Sequence, residues 1–571
     1  MASNLPKLEF SQTQKVDVQN TTFSIDALGR FVCSTWDEAT KNGGAPFDVV
    51  VIGAGMFGGY CAEKIYRFTE QTKLRVLVLE AGPFLVSEHV QNLAKIGLYE
   101  PSPMLPSEDK GEPRNLVWGM PWRGNEPFVG AAYCIGGKSL YWGGWCPRLT
   151  EEDLAQWPDE IAQYLRQNYH KLEKQTGVAE KTDFITGKLY EALRHKVDSV
   201  LNSVPKLENK SEEPPLAVLG NSPSSGLFSF DKFSSAPLLI DAIREDITEK
   251  SKFNDAQRRL FLVPRTHVTK LHTTGSVVTK IEVSVNGKQE FLDINPNCSV
   301  VLALSGIEST RLALESFPRS SDPQKELMGR NLMVHVRSNI TVRIRRSVLE
   351  SPGFPLPEKL ETAAMLVRGT TPQGAFHLQL TAAANAESNS DALLFRMIPD
   401  IDQLEQILEA QKADWVTITL RGCGEIRGEK DKPIHSTTTS WMDLSPFETD
   451  EFGKHRAFVF LKKTADAEIL QDAMEKAALD LAKQLANNDP NNIEIVNVTR
   501  DGLGSTYHES GTLWMGDSPT NSVTNVNGRF HHINNAYCVD QAVFPTVGSA
   551  NPVLTGLVLA RKTAESIVKQ H

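Results

Sequence analysis

The sequence predicts a mixed fold, α/β in its opening part and α+β taken whole: a parallel sheet with helices, then a separate antiparallel sheet. Three observations predict it. Two fully apolar runs of strand length flank a glycine-rich turn within about thirty residues, the size of one strand–helix–strand unit. A cluster of short strand candidates follows between about 340 and 461, without the long apolar runs of the first unit. The stretch from 500 to the end then returns to glycine-rich turns and short strands, and closes in a helix.

Taken in order, residues 1–46 are polar and weakly patterned and are expected to form an N-terminal arm. Phe47-Asp48-Val49-Val50-Val51-Ile52 reads as a buried parallel strand, since a strand covered on both faces has no polar side to alternate. Tyr60 to Glu70 reads as a helix, and Leu74 to Leu79 as a second buried strand. Residues 82–130, rich in Pro, Gly and Trp, are expected to be a long ordered excursion, and 150–205 to be helical. Glu212–Ser225 reads as a loop, and Ser299 to Leu304 as a third buried strand. Ile340–Ile344, Ala363–Val367, Phe376–Leu380, Trp415–Leu420, Thr437–Met442 and Ala457–Leu461 are expected to form one antiparallel sheet. Ala465–Leu485 carries apolar residues at helical spacing, and a last helix is expected from Asn551 onward.

Composition narrows the function. The net charge of −10 disfavours binding a polyphosphate through bulk charge, so nucleic acid is not an expected partner. No apolar run is long enough to span a bilayer, and the first residues lack the apolar core of a secretory signal. Seven scattered cysteines without a CxxC pair suit reduced thiols, and a cytoplasmic location is expected. No HExxH or paired CxxC supports a metal site.

Gly53-Ala54-Gly55-Met56-Phe57-Gly58 is a GxGxxG between the first strand and the first helix. The first glycine allows the tight turn, the second lets a pyrophosphate approach the backbone, and the third lets helix and strand pack closely. The helix start then offers free N–H groups and a positive dipole end to the anion. Glu80 closes the second strand, where an acidic side chain accepts from ribose hydroxyls and repels a 2′-phosphate. This is a Rossmann-like dinucleotide site, and the motif alone does not separate FAD from NAD.

Further pieces follow in order: Gly136-Gly137-Lys138-Ser139, Val300–Thr310, His508-Glu509-Ser510-Gly511 with Met515-Gly516, then Val539-Asp540, Phe544-Pro545 and Asn551-Pro552. Together they resemble the glucose–methanol–choline (GMC) oxidoreductase family from about Phe47 to the end. The resemblance implies the GMC oxidoreductase fold, with an FAD-binding domain over 47–337 and 500–571 and a substrate-binding domain over 338–499. It implies FAD, with Gly53, Gly55, Met56 and Gly58 at the pyrophosphate turn and Glu80 on the adenosine ribose. Val268 would lie at the adenine, Gly137 and Ser139 near the pyrophosphate and flavin, and Asp540 at the ribityl or pyrophosphate side. The Val553 backbone N–H would approach the flavin's pyrimidine carbonyl. His508 and Asn551 would form the catalytic pair: the imidazole removes the hydroxyl proton while the amide holds the oxygen, and hydride passes to flavin N5. The expected partners are therefore an alcohol or sugar substrate and O₂ or another electron acceptor, with no membrane.

The segment Gly136 to Trp145 looks closer to the sugar-oxidising branch that includes pyranose oxidases. In that branch a histidine of an S-x-H-W sequence carries the flavin covalently; here Tyr141 stands in its place, so non-covalent FAD is expected. Trp142, Trp145, Trp441 and Trp514 are candidates for stacking on a substrate ring, or for ordinary packing. The same fold also hosts lyases and a photoenzyme, so non-oxidase chemistry is an alternative, and an NAD-dependent Rossmann enzyme a more distant one.

Overall fold

The structure, a computed structural model, describes residues 31–41, 45–93, 117–128, 130–178, 183–219, 231–322, 324–350, 355–356, 358–385 and 390–571. Most of the expected N-terminal arm lies outside these residues, as do parts of the 82–130 excursion and of the Glu212–Ser225 loop. The described end of the arm forms the helical turn Trp36–Thr40, which Thr35 and Glu38 close with a reciprocal capping box.

The first unit is β1 (Val49–Ile52), α1 (Met56–Phe68) and β2 (Val76–Leu79). Helix α1 begins four residues earlier than its apolar pattern suggests, because it starts directly at the glycine turn. Helices α2 (Asp159–Thr176), α3 (Lys188–Val200) and α4 (Ala236–Glu245) follow. Then come β3 (Leu260–Val263), a three-stranded antiparallel sheet of β4 (Thr266–Thr274), β5 (Val277–Val285) and β6 (Lys288–Asp293), and β7 (Ser299–Leu302) leading into α5 (Gly306–Ser316). The second half carries β8 (His335–Arg345), β9 (Glu361–Thr371), β10 (Gly374–Ala384), β11 (Trp415–Glu425), β12 (Trp441–Thr449), β13 (His455–Phe460), α6 (Ala465–Leu485) and β14 (Ile493–Arg500). The chain closes with β15 (Ala536–Cys538) and α7 (Val553–Gln570).

Five strands form a parallel sheet in the order β15-β7-β1-β2-β3. Every residue of β1, β2, β3 and β7 is buried, which is why β1, β2 and β3 are unbroken apolar runs and β7 is apolar after Ser299. The last segment returns to this sheet: β15 pairs with β7, and α7 packs on α1.

The antiparallel sheet runs β9-β10-β11-β8-β14, with α6 against it. It takes four of the six expected strands. The other two, near Thr437–Met442 and Ala457–Leu461, form their own sheet: β12 pairs with β13, and β13 with the short strand Arg123–Gly124. Trp441 stacks on Phe460 across that pair at 5.5 Å, which fixes the register away from the larger sheet. The fifth strand of the larger sheet, β14, is an edge strand whose Ile495, Val496 and Val498 are exposed, so it lacks the inward apolar face that marks a strand in sequence.

Candidate active site

The glycine turn is built where β1 and β7 end side by side. Gly53 stands at φ 99°, and a Cβ there would come 2.5 Å from the Ala303 carbonyl oxygen. Gly58 sits one helical turn on, where a Cβ would collide with the Gly53 carbonyl and lie 2.8 Å from the Ala303 Cβ. Gly55 is the N-cap of α1; it makes no side-chain cap bond, and no atom lies within 4 Å of a Cβ built on it. Two glycines thus hold the helix against the strands, and the third leaves the helix start open to an anion. A second glycine turn closes on the first: the Gly136 N–H donates to the Ala54 carbonyl at 2.8 Å. Glu80 is buried beside both. One carboxylate oxygen accepts from the Ala54 N–H at 2.8 Å and the other from the Gly82 N–H at 2.9 Å, while burial pushes its pKa up to about 7.

A cavity of about 880 Å³ opens from this cradle toward the antiparallel sheet. Gly53, Gly55, Met56, Glu80, Gly137, Ser139, Val268, Trp142, His508, Asn551 and Val553 all line it, although they come from widely separated parts of the chain. Four residues expected at the site do not line it. Gly58 lies beneath the turn as a packing contact. The Asp540 carboxylate is fully buried and already engaged, accepting from the Ser309 hydroxyl at 2.5 Å and the Ala542 N–H at 2.9 Å. Trp441 belongs to the β12–β13 pair and donates its indole N–H to the Ser436 carbonyl. Trp514 is buried and donates to the Asn521 carbonyl at 2.8 Å. Both indoles are packing residues.

His508 and Asn551 meet in the cavity: the Asn551 Nδ2 lies 3.4 Å from the His508 Nε2. His508 follows Tyr507, which holds an uncommon φ of 59°, and Asn551 stands two residues before α7, next to its N-cap Pro552. Three further groups stand behind the pair. His335, at the start of β8, places its Nδ1 2.7 Å from the His508 Nδ1. Gln379, on β10, donates its Nε2 to the Asn551 Oδ1 at 2.9 Å and lies 3.1 Å from the Nε2 of His377. His377 and Gln379 are two residues apart on one strand and so share a face. The i,i+2 spacing of these two polar groups on one strand was the available sequence signal for them.

Burial holds the His508 pKa well below 6.5, and the cationic Arg337 and Lys138 nearby push it the same way, as a proton on His335 or His377 would. Burial also lowers His335, to about 4. The wall formed by the antiparallel sheet is charged. There Arg421 pairs with Asp402 at 2.9 Å and Asp400 at 3.5 Å, and Arg337 with Asp501 at 3.7 Å. Trp118, Tyr141 and Tyr507 line the same cavity, and the Lys138 ammonium lies 4.7 Å from the centre of the Tyr507 ring.

Among the described residues one group of three side chains, His335, Cys423 and His508, brings metal-binding atoms within 4.8 Å of one another. Two imidazole nitrogens on a tetrahedral zinc stand roughly 3.3 Å apart for bonds of about 2.05 Å. The observed 2.7 Å is a hydrogen-bond distance.

A parallel sheet with a glycine turn is thus joined to an antiparallel sheet that walls the same cavity. Residues 437–560 match the family model for GMC oxidoreductases. Two solved structures share the fold over most of both chains. Pyridoxine 4-oxidase from Mesorbium loti superposes with a TM-score of 0.55 at 15% identity, covering 91% of this chain and 99% of that one. A variant formate oxidase from Aspergillus oryzae, made to test FAD modification, gives 0.54 at 14% identity, with 92% and 99% covered. No curated protein sequence matches the chain significantly. The match over 437–560 and the shared fold make the chain similar to the GMC oxidoreductases, whose members are FAD-binding flavoproteins. Among the described residues no helix is long and apolar enough to cross a membrane, and all seven cysteines are free.

Proposed function

We propose that this protein oxidises a CH–OH group of a sugar, glycoside or similar alcohol with non-covalently held FAD. The observation that carries the reading is the His508–Asn551 pair, 3.4 Å apart, in the cavity that also contains the glycine cradle. The residues present fit FAD: an open helix start for a pyrophosphate, a buried carboxylate on the next strand for ribose hydroxyls, and one continuous cavity. Bound FAD would supply the two-electron acceptor for the substrate's hydride.

Gly53, Gly55 and Met56 would hold the pyrophosphate, with Gly137 and Ser139 facing it from the second glycine turn. The protein's part in the reaction is to bind the alcohol oxygen, take its proton and keep water out. His508 offers a neutral imidazole as the base, and Asn551 an N–H donor to the same oxygen. The charged wall of Arg337, Asp400, Asp402, Arg421 and Asp501 offers donors and acceptors suited to a substrate with several hydroxyls. Trp142 gives such a substrate an apolar face to lie on; its indole N–H is taken up by the Phe233 carbonyl at 2.7 Å, which holds the ring in place.

Anaerobic mixing of the purified protein with a panel of sugars, glycosides and aromatic alcohols is expected to bleach the flavin with at least one of them. Bound flavin that no alcohol reduces would overturn the reading. Competing O₂ and a dye as acceptors then shows which one reoxidises the flavin. Acid precipitation is expected to leave the yellow colour in the supernatant, since Tyr141 stands where a linking histidine would be; colour in the pellet would show a covalent bond.

A further inference from the structure

The pair proposed to do the chemistry is held by a second line of side chains from the antiparallel sheet, and the hydrogen bonds there have a direction. The His335 Nε2 lies 2.9 Å from the Gly548 carbonyl oxygen. A carbonyl only accepts, so the proton of His335 sits on Nε2 and its Nδ1 carries a lone pair. That lone pair faces the His508 Nδ1 at 2.7 Å, with the two rings perpendicular. His508 must therefore donate from Nδ1, which leaves its own lone pair on Nε2. Burial keeps both rings neutral, so neither carries a second proton to reverse the order.

The other partner is oriented in the same way. Gln379 donates from Nε2 to the Asn551 Oδ1, which turns the Asn551 amide so that its N–H₂ points at the His508 Nε2. The anchor is backbone: Gly548 stands at φ 57°, and a Cβ there would run into the Asp153 carboxylate. Its carbonyl direction is thus set by a turn only glycine adopts without a clash.

We propose that His335 is a positioning residue that locks His508 in the Nδ1–H tautomer, so that the Nε2 lone pair faces the alcohol proton. The chain of donors runs one way, from His335 to the Gly548 carbonyl and from His508 to His335. With the wrong tautomer, Nε2 would carry a hydrogen and could not take a proton. In a serine protease, loss of the group that fixes the histidine tautomer costs about 10⁴ in rate while the geometry stays intact. The proposal rests on the reading of His508 as the base, but the tautomer itself is observable without any reaction.

Two variants and one spectroscopic measurement test it. Asn at position 335 keeps an oxygen where Nδ1 stood; Leu keeps comparable bulk and removes the acceptor. In the flavin-loaded protein, His335→Leu is expected to slow anaerobic flavin reduction about 10²–10⁴-fold, the range of general-base catalysis. The apparent substrate Kd and the flavin content should stay within about threefold, less than half a decade in affinity. His335→Asn is expected to recover most of the lost rate. Equal losses in both variants would mean that His335 only fills space, and an unchanged rate in the Leu variant would remove its role altogether. Nitrogen-15 spectra of histidine-labelled protein, with His508→Ala for assignment, are expected to show His508 protonated at Nδ1 and bare at Nε2, and a mixture in His335→Leu. A wild-type signal protonated at Nε2 overturns the proposal whatever the kinetics. A wild-type flavin that no alcohol reduces overturns the reading of function instead, and the spectra then decide the tautomer alone.

Discussion

His508→Ala is expected to slow reduction of the bound flavin by its alcohol about 10²–10⁴-fold, the usual contribution of a positioned general base, while flavin content stays close to wild type. The separation of effects follows from the layout. The turns suited to the cofactor's phosphates are the glycine turns, with Glu80 at the end of β2; His508 comes from a separate segment between β14 and β15. Stopped-flow spectra under nitrogen measure the rate, and the visible absorbance of the purified variant measures the flavin. A fall of less than tenfold would assign proton removal to another group. The pH dependence has a definite sign. A base works unprotonated, and burial with positive neighbours holds His508 well below 6.5, so the acid limb of kcat/KM is expected below pH 6.5 rather than at it. Stability moves in the same window. Unfolded His335 and His508 take up protons near 6.5, whereas folded His335 resists until about 4. Their contribution to stability is complete above about 6.5 and is lost as the pH falls from there through the folded values.

The first unit was readable in sequence because burial on both faces leaves a strand no alternation to hide in. Val49–Ile52 and Val76–Leu79 are apolar throughout, and the glycines between them answer to contacts visible in the fold, above all Gly58 against Gly53 and Ala303. The antiparallel part was readable as strands but not as sheets. Pairing depends on which partner a strand meets, and Trp441–Thr449 meets His455–Phe460 through a Trp–Phe stack that no single-strand pattern encodes. Strand Ile493–Arg500 escaped because its apolar side chains face outward at an edge.

The site divides along similar lines. The glycine turn and Glu80 carry their own physical reasons in order along the chain. The His508–Asn551 pair does not: 43 residues separate its members, and only a resemblance to known proteins singled them out. His335, His377 and Gln379 had not even that. Each sits in a strand as one polar residue among alternating neighbours, where it looks like an ordinary solvent-facing position. Tertiary structure turns that face inward, toward the pair. Tryptophan composition misled in the opposite direction, since a large aromatic side chain is equally at home in a core and in a cavity. Trp142 lines the cavity, whereas Trp441 and Trp514 are packed away from it.

Two glycines only three residues apart in sequence, Gly55 and Gly58, are expected to fail differently when changed to alanine. One serves packing and the other leaves room for a ligand. Gly58→Ala puts a methyl group into the Gly53 carbonyl and 2.8 Å from the Ala303 Cβ, both of which belong to the strand ends that the helix rests on. Alanine favours a helix interior by about 1 kcal/mol over glycine, but overpacking against backbone costs about 1–3 kcal/mol and can cost more, so the clash wins. The variant is expected to melt several degrees lower and to purify with little flavin, because α1 must back away from the turn. Gly55→Ala meets nothing within 4 Å and needs no unusual φ, since Gly55 already stands at −75°. Its fold is expected to survive with a melting temperature near wild type. The methyl group instead occupies the approach to the helix N–H groups, and losing one charge-assisted hydrogen bond of about 1.5–3 kcal/mol weakens flavin binding about 10–100-fold. Thermal melts with added FAD, alongside flavin titration of the stripped protein, separate the two. If Gly55→Ala binds flavin as wild type does, the pyrophosphate does not approach the helix at that residue, and the cradle must be drawn elsewhere in the cavity.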